Sequence, residues 1–142
     1  MPSDLALKAM NTVHKAVLTL SFGKLGGNLL GMPAFELATT GRRSGERRTS
    51  MLTSPYQEGD TLVVVASRGG DDQHPAWYLN LVADPDVEVT FRGQEPKKMR
   101  ARVADAEERA RLWPIITADH DNYAAYQKKT DREIPVVLLE PR

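Results

Sequence analysis

The chain has 142 residues, 19 Lys+Arg against 19 Asp+Glu, a formal net charge of zero and no cysteine. That length fits one domain around one main core, neutrality argues against a generally nucleic-acid-binding surface, and the missing thiols exclude disulfides, thiolate nucleophiles and Cys-ligated metals. His14, His74 and His120 lack any paired spacing, so no metal site is expected.

In the first twenty residues Leu5, Ala9, Val13, Val17 and Leu20 recur at helical spacing, with Ser3 or Asp4 to cap the first turn, which predicts an amphipathic N-terminal helix. Asp4, Lys8, His14 and Lys15 break the apolar run that a signal peptide or spanning helix needs. A cytoplasmic protein is expected, its helix packed on the core or resting weakly on the inner face of a membrane. "SFGKLGGNLLGMP" matches neither phosphate-loop spacing and reads as a mobile loop. Residues 1–32 therefore form a helix with a Gly-rich loop, and residues 33–142 the barrel of a single-domain chain.

From Phe35 the pattern turns to strands, "AFELATT", "RRTSMLTSPYQ" and "TLVVVAS", joined by "GRRSGE" and by "EGD". Such short links require antiparallel pairing. The run from Leu62 to Ala66 is apolar on both faces and belongs in mid-sheet. "HPAWYLNLVADP" reads as a short helix with Pro75 at its first position. Val87, Val89 and Phe91, then Met99, Ala101 and Val103, alternate with polar residues on two half-buried strands. Asp105 and Glu108 form a capping box for a helix that Pro114 kinks or ends. A further helical stretch carries Tyr123 and Tyr126, and "IPVVLLEP" closes the chain as an apolar strand. The expected fold is α+β, a closed or nearly closed barrel of about six mostly antiparallel strands with flanking helices.

Three stretches carry chemistry. In "TGRRSGERR" Gly41 and Gly45 allow a tight turn, and Arg42, Arg43, Arg47 and Arg48 offer planar forks for carboxylate or phosphate oxygens; the alternative is a solvated turn. In "SRGGDDQHPAWYLN" Ser67 and Arg68 end a buried strand where ligands commonly bind, while Asn80, a poor mid-helix residue, suggests a hydrogen-bonding task. Asp71 and Asp72 beside His74 read as solvated caps, and Trp77 is either core or cofactor platform. Tyr123 and Tyr126 lie three apart on one helical face, as protonated donors or as a semi-buried packing surface.

Together "TTGRRSGERRTS", "ASRGGDDQHPAWYLNL" and "YAAYQKKTDREIPVVLLEP" resemble the deazaflavin-dependent nitroreductase family of the flavin/deazaflavin oxidoreductase superfamily, from Phe35 to Pro141. The resemblance implies a split β-barrel and coenzyme F-420, an 8-hydroxy-5-deazaflavin whose tail carries a phosphodiester and several glutamates. It also implies hydride transfer from the reduced coenzyme to an electron-poor small molecule such as an enone, lactone, quinone or nitro compound. Carried over residue by residue, the cofactor contacts fall on Arg42, Arg43 and Ser44, on Arg48, Thr49, Ser50, Met51, Leu52 and Thr53, on Val65, Ala66, Ser67 and Arg68, and on Ala76, Trp77, Tyr78, Leu79 and Asn80. Tyr123 falls on the family's substrate-side tyrosine, with Tyr126 and Ser67 as further groups for the acceptor oxygen. An FMN-dependent enzyme of the same barrel class is the rival, although one phosphate needs fewer arginines. A non-catalytic deazaflavin carrier is the other alternative, and a homodimer is left open.

Overall fold

The computed structural model describes residues 28–29 and 32–142; the expected N-terminal helix and most of the glycine-rich loop lie outside them. In chain order the elements are β1 (Asn28–Leu29), β2 (Met32–Thr40), β3 (Arg47–Thr53), β4 (Tyr56–Glu58), β5 (Thr61–Val65), a single 3-10 turn (Arg68–Gly70), α1 (Ala76–Ala83), β6 (Asp86–Thr90), β7 (Lys97–Val103), α2 (Ala106–Asp119), α3 (Asn122–Gln127) and β8 (Val136–Pro141). The strands form one sheet in the order β1-β2-β6-β7-β8-β5-β4, with β3 on the other side of β2. Every described ladder is antiparallel.

Two strands exceed the expected six. One is the short β1, and the other arises because "RRTSMLTSPYQ" is not one strand: it breaks at Ser54-Pro55 into β3 and β4. Pro55 has no N–H to give a ladder, and it restricts the backbone before it. The break shapes the whole sheet. β3 and β4 lie at opposite ends of the path β3-β2-β6-β7-β8-β5-β4, yet two residues join them, so the sheet must curl until its ends meet. Ser54 fastens that corner. Its N–H donates to Pro33 O (2.9 Å), and its buried hydroxyl lies 2.7 Å from Val63 O and 2.8 Å from Tyr56 O. No described ladder pairs β3 with β4, so the curl is split there.

Two apolar clusters follow from strand alternation. Phe35 and Leu37 of β2, Leu62 and Val64 of β5, Val87 and Val89 of β6, Met99 and Ala101 of β7, and Val137 and Leu139 of β8 fill the inside, which α1 covers with Leu81. The intervening residues Val63, Val65, Val136 and Leu138 face outward and are buried by Leu112 and Ile116 of α2 and Tyr123 of α3. β5 and β8 are thus apolar on both faces because both faces are covered, as the run Leu62 to Ala66 foretold. Val103 departs from its predicted burial and is 39% exposed, since the sequence alternation continues past the end of the core.

Pro114 does not end α2, which runs as one helix of 14 residues. The carbonyl left without its helical donor is that of Ala110, which is exposed and can bond water. The capping box is half formed. Asp105 accepts from Glu108 N–H (2.8 Å), but the Glu108 carboxylate pairs with Arg102 instead of returning to the cap.

Gly70 shows where this packing is tightest. Its φ is +83°, and a Cβ built there would lie 2.7 Å from the Tyr126 carbonyl oxygen, so the 3-10 turn and α3 approach backbone to backbone. Gly70→Ala should lower unfolding free energy by about 1–3 kcal/mol, read as a shifted urea midpoint at unchanged slope; an unshifted midpoint would show that this contact yields freely.

Candidate functional site

The β2–β3 hairpin extends from the Thr40↔Arg47 pair through residues 41–46. Its turn closes by Gly41 N–H to Glu46 O and Gly45 N–H to Gly41 O, both 2.8 Å, with Gly45 at φ +71° where side-chain-bearing residues are disfavoured. Asn80 of α1 clamps the hairpin from below. Its Oδ1 accepts from Arg42 N–H (3.1 Å), which fixes the amide orientation, and its Nδ2 donates to Thr39 Oγ1 (3.2 Å). The hydrogen-bonding task that Asn80 suggests is therefore met by the protein itself, at 6% exposure.

Strand alternation divides the arginines. Arg48 and Ser50 stand opposite Thr39 and Leu37 and share their face, whereas Arg47 points to the other side and pairs with Glu88 of β6. Arg42, Arg43, Ser44, Arg48, Thr49, Ser50, Ala76, Trp77 and Asn80 line a cleft of about 410 Å³ together with Thr39 and Gly41. Arg47 does not, which corrects its place in the predicted anion-binding set. Arg42, Arg43 and Arg48 are exposed, and the Arg48–Glu46 contact at 3.4 Å is a loose surface pair.

A larger cavity of about 650 Å³ adjoins this cleft, sharing Arg42, Ser50, Ala76 and Trp77 as wall residues. Its walls include Met51, Leu52 and Thr53 of β3, Val65, Ser67 and Arg68 at the end of β5, Leu79 of α1, and Tyr123 and Tyr126 of α3. The three sequence stretches thus meet around the larger cavity, and the first two also line the adjoining cleft. Ala66 and Tyr78 line neither part. Ala66 is fully buried and its carbonyl accepts from Arg132, while Tyr78 stacks on His74. The cavity also gains Met32, Gly69, Gln73, His74, Pro75 and Asn122, which sequence reasoning did not single out for it.

Tyr123 is 7% exposed, rooted in the outer cluster, and its hydroxyl reaches the cavity 3.9 Å from Met32 Sδ. Burial raises its pKa above the ordinary phenol value, outweighing a hydrogen bond with Thr53 that lowers it, so the group remains a donor at neutral pH. The Tyr126 ring stands edge-on to it at 6.1 Å.

The loop 67–75 departs from the solvated caps expected at Asp71 and His74, which are buried and half-buried, whereas Asp72 is exposed. Arg68 holds the left-handed conformation (φ +46°), and its guanidinium is paired at 2.8 Å with Asp71, which is 7% exposed and also accepts from Gln73 N–H. Asp72 accepts from Thr130 Oγ1 (2.7 Å). Arg132, from the segment before β8, spans the loop. It donates Nε to Asp71 O (2.7 Å), Nη1 to Ala66 O (3.2 Å) and Nη2 to Ser67 O (2.8 Å), and Nη1 lies 3.1 Å from His74 Nδ1. Burial, then the Arg132 charge, depress the His74 pKa, so its imidazole is neutral at pH 7.

A curled antiparallel sheet with a cleft that is cationic at one end, and mixed polar and apolar with a buried and a half-buried phenol at the other, offers a binding site for an elongated anionic molecule with a ring, and the comparisons with known proteins place the chain among the F-420-dependent oxidoreductases. The profile of the "F420H(2)-dependent quinone reductase" family matches residues 11–141, and the chain belongs to that family. It is 38% identical over 136 residues to a protein of that name from Mycobacterium tuberculosis, covering 92% of this chain and 89% of the relative. A solved "F420-H2 Dependent Reductase (FDR-A)" is 39% identical with a TM-score of 0.66, over 76% of this chain and 94% of the other. Another solved structure, described as a domain-swapped dimer, is 36% identical with a TM-score of 0.67, over 91% and 96%. These relatives agree with the deazaflavin-dependent resemblance carried by the three motifs.

The Asn80 clamp is testable. Asn80→Ala leaves the Thr39 hydroxyl and the Arg42 N–H without their partner and should cost about 1–3 kcal/mol in chemical denaturation; a cost near zero would mean that water replaces the amide.

Proposed function

We propose that coenzyme F-420 lies along the cleft, its anionic tail at the arginine hairpin and its ring in the larger cavity, and that the hydride acceptor is a quinone or a related electron-poor carbonyl compound. The adjacency of the two cavities, which share Arg42, Ser50, Ala76 and Trp77 as wall residues, carries this reading, because it sets three exposed cations beside a chamber of mixed polar and apolar lining with two phenols. The protein is an F-420-dependent reductase by family, and the quinone is the acceptor that the family name supports.

The donor set fits the coenzyme. Arg42, Arg43 and Arg48 match phosphodiester and carboxylate oxygens, and Leu52, Val65, Trp77 and Leu79 offer apolar walls to a planar ring. When bound, the coenzyme supplies a hydride in a two-electron step. The chain's part is to hold both molecules in one chamber and to place donors where negative charge builds. Tyr123, protonated and fixed in the outer cluster, donates a hydrogen bond to the acceptor oxygen, with Ser67 and the half-buried Tyr126 as neighbouring donors on the same wall. Hydride transfer to a quinone leaves the hydroquinone monoanion, and one further proton, from tyrosine or water, completes the hydroquinone.

Two measurements test this. Arg48→Ala should weaken F-420 binding by about 1 kcal/mol, roughly fivefold, and reduce its salt dependence, whereas Arg47→Ala should leave both alone because its partner is Glu88; equal losses would contradict the division of the arginines. Tyr123→Phe should lower quinone turnover by about a hundredfold with little change in F-420 affinity, followed by loss of the reduced coenzyme's absorbance. Unchanged turnover would remove Tyr123 from the reaction.

A further inference from the structure

His74 ends the loop before α1, lines the larger cavity, and rests on Tyr78 with ring centroids 4.6 Å apart. Its Nδ1 lies 3.1 Å from Arg132 Nη1. A guanidinium has donors and no acceptor, so Nδ1 must accept and the proton of the neutral ring must sit on Nε2. Arg132 is not free to turn away, being held by Asp71 O and Ser67 O on its other nitrogens. The neighbouring charges are engaged elsewhere: Asp71 pairs with Arg68, and Asp72 accepts from Thr130. Tyr78 of α1 supports the ring, and Tyr123 and Tyr126 of α3 share the cavity wall with it. Among the described residues His74 Nε2 has no protein hydrogen-bond partner, so a donor of fixed tautomer stands at the wall of the chamber.

We propose that His74 is an orienting donor, its Nε2–H hydrogen-bonding a carbonyl oxygen of the molecule in the larger cavity, with Arg132 as the positioning residue that sets its tautomer. The inference rests on the reading that this cavity receives the coenzyme ring and a quinone. Both carry carbonyl oxygens, so the chemistry is shared and the source is for experiment to separate. Neither composition nor motif spacing pointed to this role, because it depends on a contact between residues 58 apart in sequence.

The test compares wild type, His74→Phe and His74→Gln. Phenylalanine keeps a ring on Tyr78 and removes the donor; glutamine restores an N–H donor at similar reach. Coenzyme F-420 affinity is read from Trp77 and Trp113 fluorescence, KM and kcat from a water-soluble naphthoquinone, and the tautomer from the ¹⁵N shifts of His74 in the unliganded wild type. The expected results are the Nε2–H tautomer at neutral pH, and about a tenfold rise for His74→Phe in either F-420 Kd or quinone KM, largely recovered by His74→Gln. A rise confined to Kd puts the oxygen on the coenzyme, and one confined to KM puts it on the quinone; each supports the role. An Nδ1–H tautomer, unchanged Kd and KM in His74→Phe, or a loss that glutamine does not recover overturns it. Wild type that fails to bind F-420 overturns the reading of the cavity itself, whereas binding that His74→Phe leaves intact overturns the donor alone. Should His74→Phe fail to fold, the wild-type tautomer and His74→Leu, which also lacks the donor, decide by the same criteria.

Discussion

The guanidinium of Arg132 holds the site together. It bonds three backbone carbonyls, those of Ala66, Ser67 and Asp71, and it touches His74. Without it the Ala66 and Asp71 carbonyls of two buried residues would lose this donor, while Ser67 O would keep the Gly70 N–H (2.9 Å). One planar fork satisfies them and fixes the loop's path, so Ser67, Arg68 and His74 stand on one wall. Burial lowers the pKa of Arg132 itself, partly offset by the Asp71 and Asp72 carboxylates, from a value so high that the cation persists. The strained Arg68 backbone and the tight passage of Gly70 against Tyr126 are tolerated inside this frame.

The two cavities differ in character. On one side the hairpin offers exposed charge, held by Asn80 from α1 and by the ladder of β2 with β3. Exposed arginines bind through many weak, salt-sensitive contacts, which suits a long polyanionic tail better than a single phosphate. On the other side, the chamber is lined by members of both apolar clusters, Leu52 and Trp77 from the inner and Val65 and Tyr123 from the outer. Hydrogen bonds to a reacting oxygen are strongest in such surroundings. The proposed division therefore assigns affinity and chemistry to different residues.

Much of this was legible in the chain. The apolar runs of β5 and β8 required a sheet covered on both faces, and the short links between strands required antiparallel order. Asn80, out of place in a helix, announced its hydrogen bonds, and the motif resemblance located the segments that line the cleft. What stayed hidden depends on contacts between distant residues. Asp71 looked like a solvated loop residue because its partner Arg132, which donates to its carbonyl, lies 61 positions on. Arg47 and Arg48 are chemically alike in sequence, and strand register together with Glu88 tells them apart. Ser54-Pro55 resembled the middle of a strand, although Pro55 already argued for a break, and the corner it makes lets the sheet curl and split. Ala66 and Tyr78 fell inside a matching motif but support the wall from behind.

The central claim is that the hairpin binds the tail of the coenzyme while the chamber binds its ring. It is tested most directly by comparing full-length coenzyme F-420 with its ring system lacking the phosphodiester and glutamates, by fluorescence titration at low and high salt. The account predicts that the tail-less compound binds much more weakly, with affinity nearly independent of salt, and still delivers hydride to a quinone when saturating. Equal affinity for the two compounds, with equal salt dependence, would contradict it.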